Sequence, residues 1–76
     1  MRSDRKIIGD RIASARGFRR VSQQDLAKAI DTSSQTVSNW EVGRTSPNAD
    51  MLRRICMTLN VSCDYILGIS NSLNYE

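Results

Sequence analysis

Histidine is absent from this chain of 76 residues, and cysteine occurs only twice, as Cys56 and Cys63. Without imidazole a metal site would need both thiols plus carboxylates, and two cysteines are too few for a disulfide framework. The plain reading is two small buried thiols. The carboxylates Asp4, Asp10, Asp25, Asp31, Glu41, Asp50, Asp64 and Glu76 are scattered, so no acid–base pair or triad is visible. Neither an enzyme nor a cofactor is expected. No apolar run approaches the roughly 20 residues that a membrane span needs, and the start (Arg2, Asp4, Arg5, Lys6) lacks the apolar segment of a signal peptide. Cytoplasmic location is the expectation. Linkers, repeats, low-complexity segments and strand-like alternation are also missing.

What is present is an ordinary globular composition, 39% apolar and 25% charged, in a chain long enough for one domain. Such a domain buries only about 60% of its unfolded surface, too little to line a deep cavity as well as a core. Charge is uneven. Residues 1–20 hold seven Arg or Lys against two Asp, a net +5, while residues 21–76 hold four against six, a net −2. A basic lobe of this kind suits a polyanion such as nucleic acid, or is simply a solvated basic helix.

Short helical periods punctuated by polar caps run through the whole chain. Ile7, Ile8, Ile12, Ala15 and Phe18 lay an apolar stripe on a helix over about residues 4–19. Ser22 with Asp25 resembles a capping box for a second helix, 23–30, that points Leu26, Ala27 and Ile30 inward. "DTSS" ends it and supplies caps for a third helix over 34–41. "GRTSPN" is a loop, and Asn48 caps a fourth helix whose Met51, Leu52, Ile55, Cys56 and Leu59 share a face. Ser62 caps a fifth, 63–67, closed by Gly68. Domain bounds of 1–68 follow, with 69–76 as a tail. Ile66 and Leu67 suit the core or an interface; Ile69, Leu73 and Tyr75 suit a dimer seam or lie loose.

The third helix carries the functional signal. Val37 and Trp40 fall on one side, where Trp40 anchors a core, and Ser34, Gln35, Ser38 and Asn39 fall largely on the other. Solvated helix faces usually carry Lys and Glu. Short, uncharged hydrogen-bonding side chains instead suit a helix lying in a groove against base edges. With Leu26, Ala27 and Ile30 packing against Val37 and Trp40, the second and third helices read as a helix-turn-helix.

On "SQQDLAKAIDTSSQTVSNWEVGRTSPNADML" and "LNVSCDYILG" the chain resembles the lambda-repressor-like, or XRE-type, helix-turn-helix family of phage and bacterial regulators, over about residues 7–68. The resemblance implies an all-α, five-helix domain whose third helix enters the major groove of an operator, usually as a homodimer, here through the fifth helix and the tail. It implies base contacts from Ser33, Ser34, Gln35, Ser38 and Asn39, with Gln35 and Asn39 suited to adenine. Phosphate contacts are implied for Gln23, which also braces the third helix, and for Arg44, with Arg11, Arg19, Arg20 and Lys28 as further partners. Arg16 and Glu41 match a partly buried ion pair of the family. Asp31 and Arg20 stand where relatives often have glycine, and Val42 stands where a polar residue often meets phosphate. The function implied is a sequence-specific regulator, a repressor of phage or mobile-element type, with no small-molecule ligand. An antitoxin-like or antirepressor-like protein-binding module on the same scaffold is the alternative.

Overall fold

Each helix of this chain is started and stopped by its own side chains. In the computed structural model, which describes residues 3–74, the order is α1 (Asp4–Phe18), α2 (Gln23–Ala29), α3 (Ser34–Glu41), α4 (Ala49–Leu59) and α5 (Cys63–Ile66). The caps Ser3, Ser22, Ser33, Asn48 and Ser62 all have extended backbone. Their side-chain oxygens accept from the N–H of Lys6, Asp25, Thr36, Met51 and Asp64 at 2.8–3.2 Å. Donors that the first turn leaves unpaired are thereby satisfied.

The stops are equally uniform. A left-handed residue follows every helix: Arg20, Asp31, Gly43, Asn60 and Gly68, with φ between 53° and 82°. The next N–H then reaches back five residues to a helix carbonyl, Val21 to Arg16, Thr32 to Ala27, Arg44 to Asn39, Val61 to Cys56 and Ile69 to Asp64, at 2.9–3.0 Å. This is the Schellman geometry, which satisfies the last carbonyls. Arg20 and Asp31 adopt the left-handed turn without glycine.

The core gathers Ile12, Ala15, Leu26, Ile30, Val37, Trp40, Ile55, Leu59, Val61 and Ile66, all under 5% exposed. Trp40 is the anchor that its spacing with Val37 predicts. Three expectations change. Phe18, the last residue of α1, is 61% exposed, its ring lying 5.0 Å from the Arg19 guanidinium rather than in the core. Leu67 points outward because α5 ends one residue earlier, at Ile66. Leu73 packs against the core instead of hanging loose, as its carbonyl accepts from the Ser62 N–H at 2.8 Å. Ile69 is exposed, and Tyr75 lies outside the described residues. Cys56 is buried and Cys63 only partly so, and both thiols are free. Burial, followed by the neighbouring Cys63 thiol, pushes the Cys56 thiol up to about 12.

Gly9, unremarked in the helix pattern, is where α1 crosses α3. A Cβ there would collide with the carbonyl oxygen of Trp40 and lie 2.9 Å from that of Glu41. Only a residue without a side chain lets the two backbones approach so closely. That contact sets the height at which α3 rides on α1.

Candidate nucleic-acid interface

α3 is eight residues long, too short to be stable as a helix on its own. Its inner side is held by Val37 and Trp40, both buried. Its last residue, Glu41, meets a fork. Arg16 donates from Nε to Glu41 Oε2 at 2.8 Å and from Nη2 to Oε1 at 3.0 Å. Gln23 adds a bond from Nε2 to Oε1 at 3.0 Å. Arg16 also donates to the Val21 carbonyl at 2.9 Å. With the two side chains 21% and 8% exposed, this bidentate pair ties α1, α2 and α3 together in a partly dehydrated place. The Glu41 carboxylate raises the Arg16 pKa above its usual value, which favours the charged guanidinium. The expected ion pair and the expected brace from Gln23 are both present. One of the Gln23 amide's two N–H donors is thereby turned inward, which leaves the other for any phosphate.

The basic lobe proves to be mostly fasteners. Lys6 bonds Asp10 at 2.7 Å and the Glu41 carbonyl, at the end of α3, at 3.4 Å. Arg5 donates to the Arg44 carbonyl at 3.3 Å. Arg19 donates to the carbonyls of Leu59 and Asn60, both at 2.9 Å, at the end of α4. Arg54 does the same for Ile30 at the end of α2. Arg11 lies over the Tyr65 ring, 4.4 Å from its centroid, and donates to the carbonyls of Tyr65 and Ser70 and to Asn71 Oδ1. Cations placed on the negative ends of helices are favourable by roughly 0.3–1 kcal/mol each. In the folded chain Arg11 and Arg19, expected as phosphate partners, also fasten the architecture, Arg11 at α5 and the tail and Arg19 at the end of α4.

The outer side of α3 is different. Ser34 and Gln35 are exposed, and Ser38 and Asn39 half-buried. Ser33 is occupied as the cap, its Oγ bonded to the Thr36 N–H and 2.9 Å from the Thr36 hydroxyl. Gln35 Nε2 donates to Asn39 Oδ1 at 3.1 Å, and Arg44 Nη1 donates to the same oxygen at 2.7 Å. Gly43, left-handed at φ 82° and packed against Lys6, turns the chain so that Arg44 points back over α3. Lys28 lines a polar cleft of about 340 Å³ with Gln24, Asp25, Thr32 and Ser34. Arg20 is exposed in the turn before α2, and Val42 is 55% exposed at the end of α3. Among the described residues, Ser34, Gln35, Ser38, Asn39, Arg44 and Lys28 thus share the α2–α3 side of the molecule, while Arg11 and Arg19 serve α5 and α4.

Two short helices crossing through a left-handed turn, with the second presenting an uncharged polar face, define a helix-turn-helix domain of lambda-repressor-like architecture. The helix-turn-helix family profile matches residues 12–66, and the chain belongs to that family. It is 32% identical over 62 residues, 82% of its length, to repressor protein C2 of Salmonella phage P22, and 31% identical over 61 residues to the transcriptional regulator ImmR of Bacillus subtilis. The chain spans 29% and 48% of those two proteins, less than half of either. The fold superposes on the P22 c2 repressor solved in complex with a synthetic operator, with a TM-score of 0.77, 32% identity and coverage of 83% of this chain and 96% of that one. It also matches the clp gene regulator ClgR of Corynebacterium glutamicum, with a TM-score of 0.84, 26% identity and coverage of 90% and 72%.

Proposed function

We propose that this chain is the DNA-reading domain of a transcriptional regulator, a repressor of phage or mobile-element type, which places α3 in the major groove of double-stranded operator DNA. The observation that carries the reading is the outer face of α3. Ser34, Gln35, Ser38 and Asn39 offer hydrogen bonds without charge, on a helix immobilised from behind by Trp40 and the Glu41 fork. Likeness to a repressor whose structure contains an operator supports the same reading. Gln35 and Asn39 read base edges, with the serines adding weaker contacts. Arg44, Lys28 and Arg20 neutralise phosphates, contacts that set register.

The operator-bound form is a homodimer joined through the end of α5 and the tail. Support comes from an apolar groove of about 260 Å³ lined by Asp4, Ile7, Ile8, Leu67 and Ile69, the last 74% exposed. Half-sites then lie about one helical turn, roughly 34 Å, apart, and occupancy blocks or recruits polymerase. The test is anisotropy titration of duplex DNA against salt. Three cations per protomer, six per dimer, give an expected slope of log K against log salt of about −5. A Gln35→Ala, Asn39→Ala double variant that keeps its helical spectrum should lose sequence preference. Binding indifferent to both salt and the double variant rejects the reading.

A further inference from the structure

The two amides on α3 are not equivalent. Arginine carries only donors, so the Asn39 atom that Arg44 meets has to be the carbonyl oxygen. Gln35, bonded to that same oxygen, has to present its nitrogen. Both lone pairs of Asn39 Oδ1 are therefore filled by neighbours in the same chain. Asn39 Nδ2 bonds nothing among the described residues, and Gln35 keeps its Oε1 and one N–H.

The two side chains thus offer different patterns outward. Adenine presents N7 as acceptor and the N6 amino group as donor, and an amide reads it by accepting and donating at once. Gln35 can still do so. Asn39 cannot unless it surrenders the 2.7 Å charge-assisted bond from Arg44, at a cost of about tenfold in affinity. As held, with both lone pairs of Oδ1 filled, Asn39 offers outward only the two N–H groups of Nδ2, a pattern made only of donors. Guanine, with acceptors at both N7 and O6, complements that pattern.

Resting on the DNA-reading function proposed above, we infer that Arg44 sets sequence preference by locking the Asn39 amide, so that Asn39 selects guanine while Gln35 selects adenine. Arg44 is thereby a specificity-positioning residue as well as a phosphate contact. Gly43 and the Arg5 bond to the Arg44 carbonyl hold its backbone in place for this.

Two measurements test the lock. The first needs no DNA: side-chain amide ¹⁵N relaxation of Asn39 should report an ordered group in the native chain and a mobile one in Arg44→Ala. Equal order in both overturns the lock. The second is selection from a random duplex pool at low salt. The native chain should favour guanine over adenine by about fivefold or more at the Asn39 position. Arg44→Ala should invert that preference to adenine, and the Arg44→Ala, Asn39→Ala double variant should lose it. If Arg44 reads guanine directly, or only touches phosphate, Arg44→Ala gives no preference or weakens all sequences alike, and the inference fails. Retention of no duplex by the native chain rejects the DNA-reading function and the base preference with it, while the relaxation experiment still decides whether the amide is locked.

Discussion

Gly9→Ala should destabilise this protein although alanine is the better helix former. In an exposed helix interior the change is favourable by about 1 kcal/mol, because glycine loses the most backbone freedom on folding. Here the new methyl group meets the carbonyl oxygens of Trp40 and Glu41, which are backbone atoms and cannot rotate away. Carbon–oxygen contacts close to about 3.3 Å, so α3 has to retreat from α1 by roughly 1 Å. Forcing a packed interface open in this way costs on the order of 3 kcal/mol, the upper end for overpacking. The net loss is about 2 kcal/mol, or a fall in Tm of about 8–16 °C for a domain of this size. Gly17→Ala is the matched control. It lies in the same helix, with nothing within 4 Å of its built Cβ, and should raise Tm by about 4–8 °C. Thermal and urea melts followed by circular dichroism at 222 nm measure both. A rise in Tm for both variants would refute the close crossing as the reason for glycine at position 9.

Glu41→Ala strands Arg16 and Gln23. With the Arg16 side chain 21% exposed, the cost should be about 2–3 kcal/mol by urea denaturation, and an Arg16→Met, Glu41→Leu double variant should recover most of it. Arg19→Ala should lower stability by about 1 kcal/mol while leaving the salt slope of DNA binding unchanged, whereas Lys28→Ala, which removes two cations from the dimer, should reduce that slope by about 2 with little effect on Tm. Cys56 should resist alkylation in the native protein at pH 8 and react only on unfolding, with Cys63 modified first, as mass spectrometry of timed samples would show. The folded thiol titrates above its ordinary value of 9.0, so its contribution to stability is complete below pH 9 and is lost as pH rises towards 12. Alkaline titration of a Cys56→Ala variant, lacking that component of the pH dependence, checks the sign.

The helices and their caps were legible because they depend on residues close in sequence. Ser22, Asn48 and Ser62 cap where their positions predict, and the Val37–Trp40 spacing identifies the inner side of α3. Long cations were not legible. An arginine on α1 can reach several carbonyls, and only the folded arrangement decides that Arg19 meets the end of α4 and Arg11 the tail. Charge density at the start of the chain therefore overstated the surface free to meet a polyanion. Gly9 was missed because what it accommodates is the backbone of another helix, which no local pattern encodes. Its one available signal was a glycine set among α1's apolar positions, between Ile8 and Ile12. Phe18 misled for a related reason: at the final position of a helix, periodicity continues on paper after the packing has stopped.

These placements locate the determinants of recognition in an unexpected part of the molecule. α3 contributes the polar side chains, but it has no stability of its own at eight residues, and its position is decided by α1. Gly9 sets the distance between the two helices. Lys6 holds the Glu41 carbonyl, Arg16 its carboxylate, and Arg5 the loop that carries Arg44. A side chain reading a base edge must be held to a fraction of an ångström, because a hydrogen bond fails within about that displacement. Substitutions on α1 that touch no ligand should therefore change what α3 selects, not only how much folded protein is present. Most of the positive charge on α1 works in this way, as mechanical support for the uncharged outer face of α3.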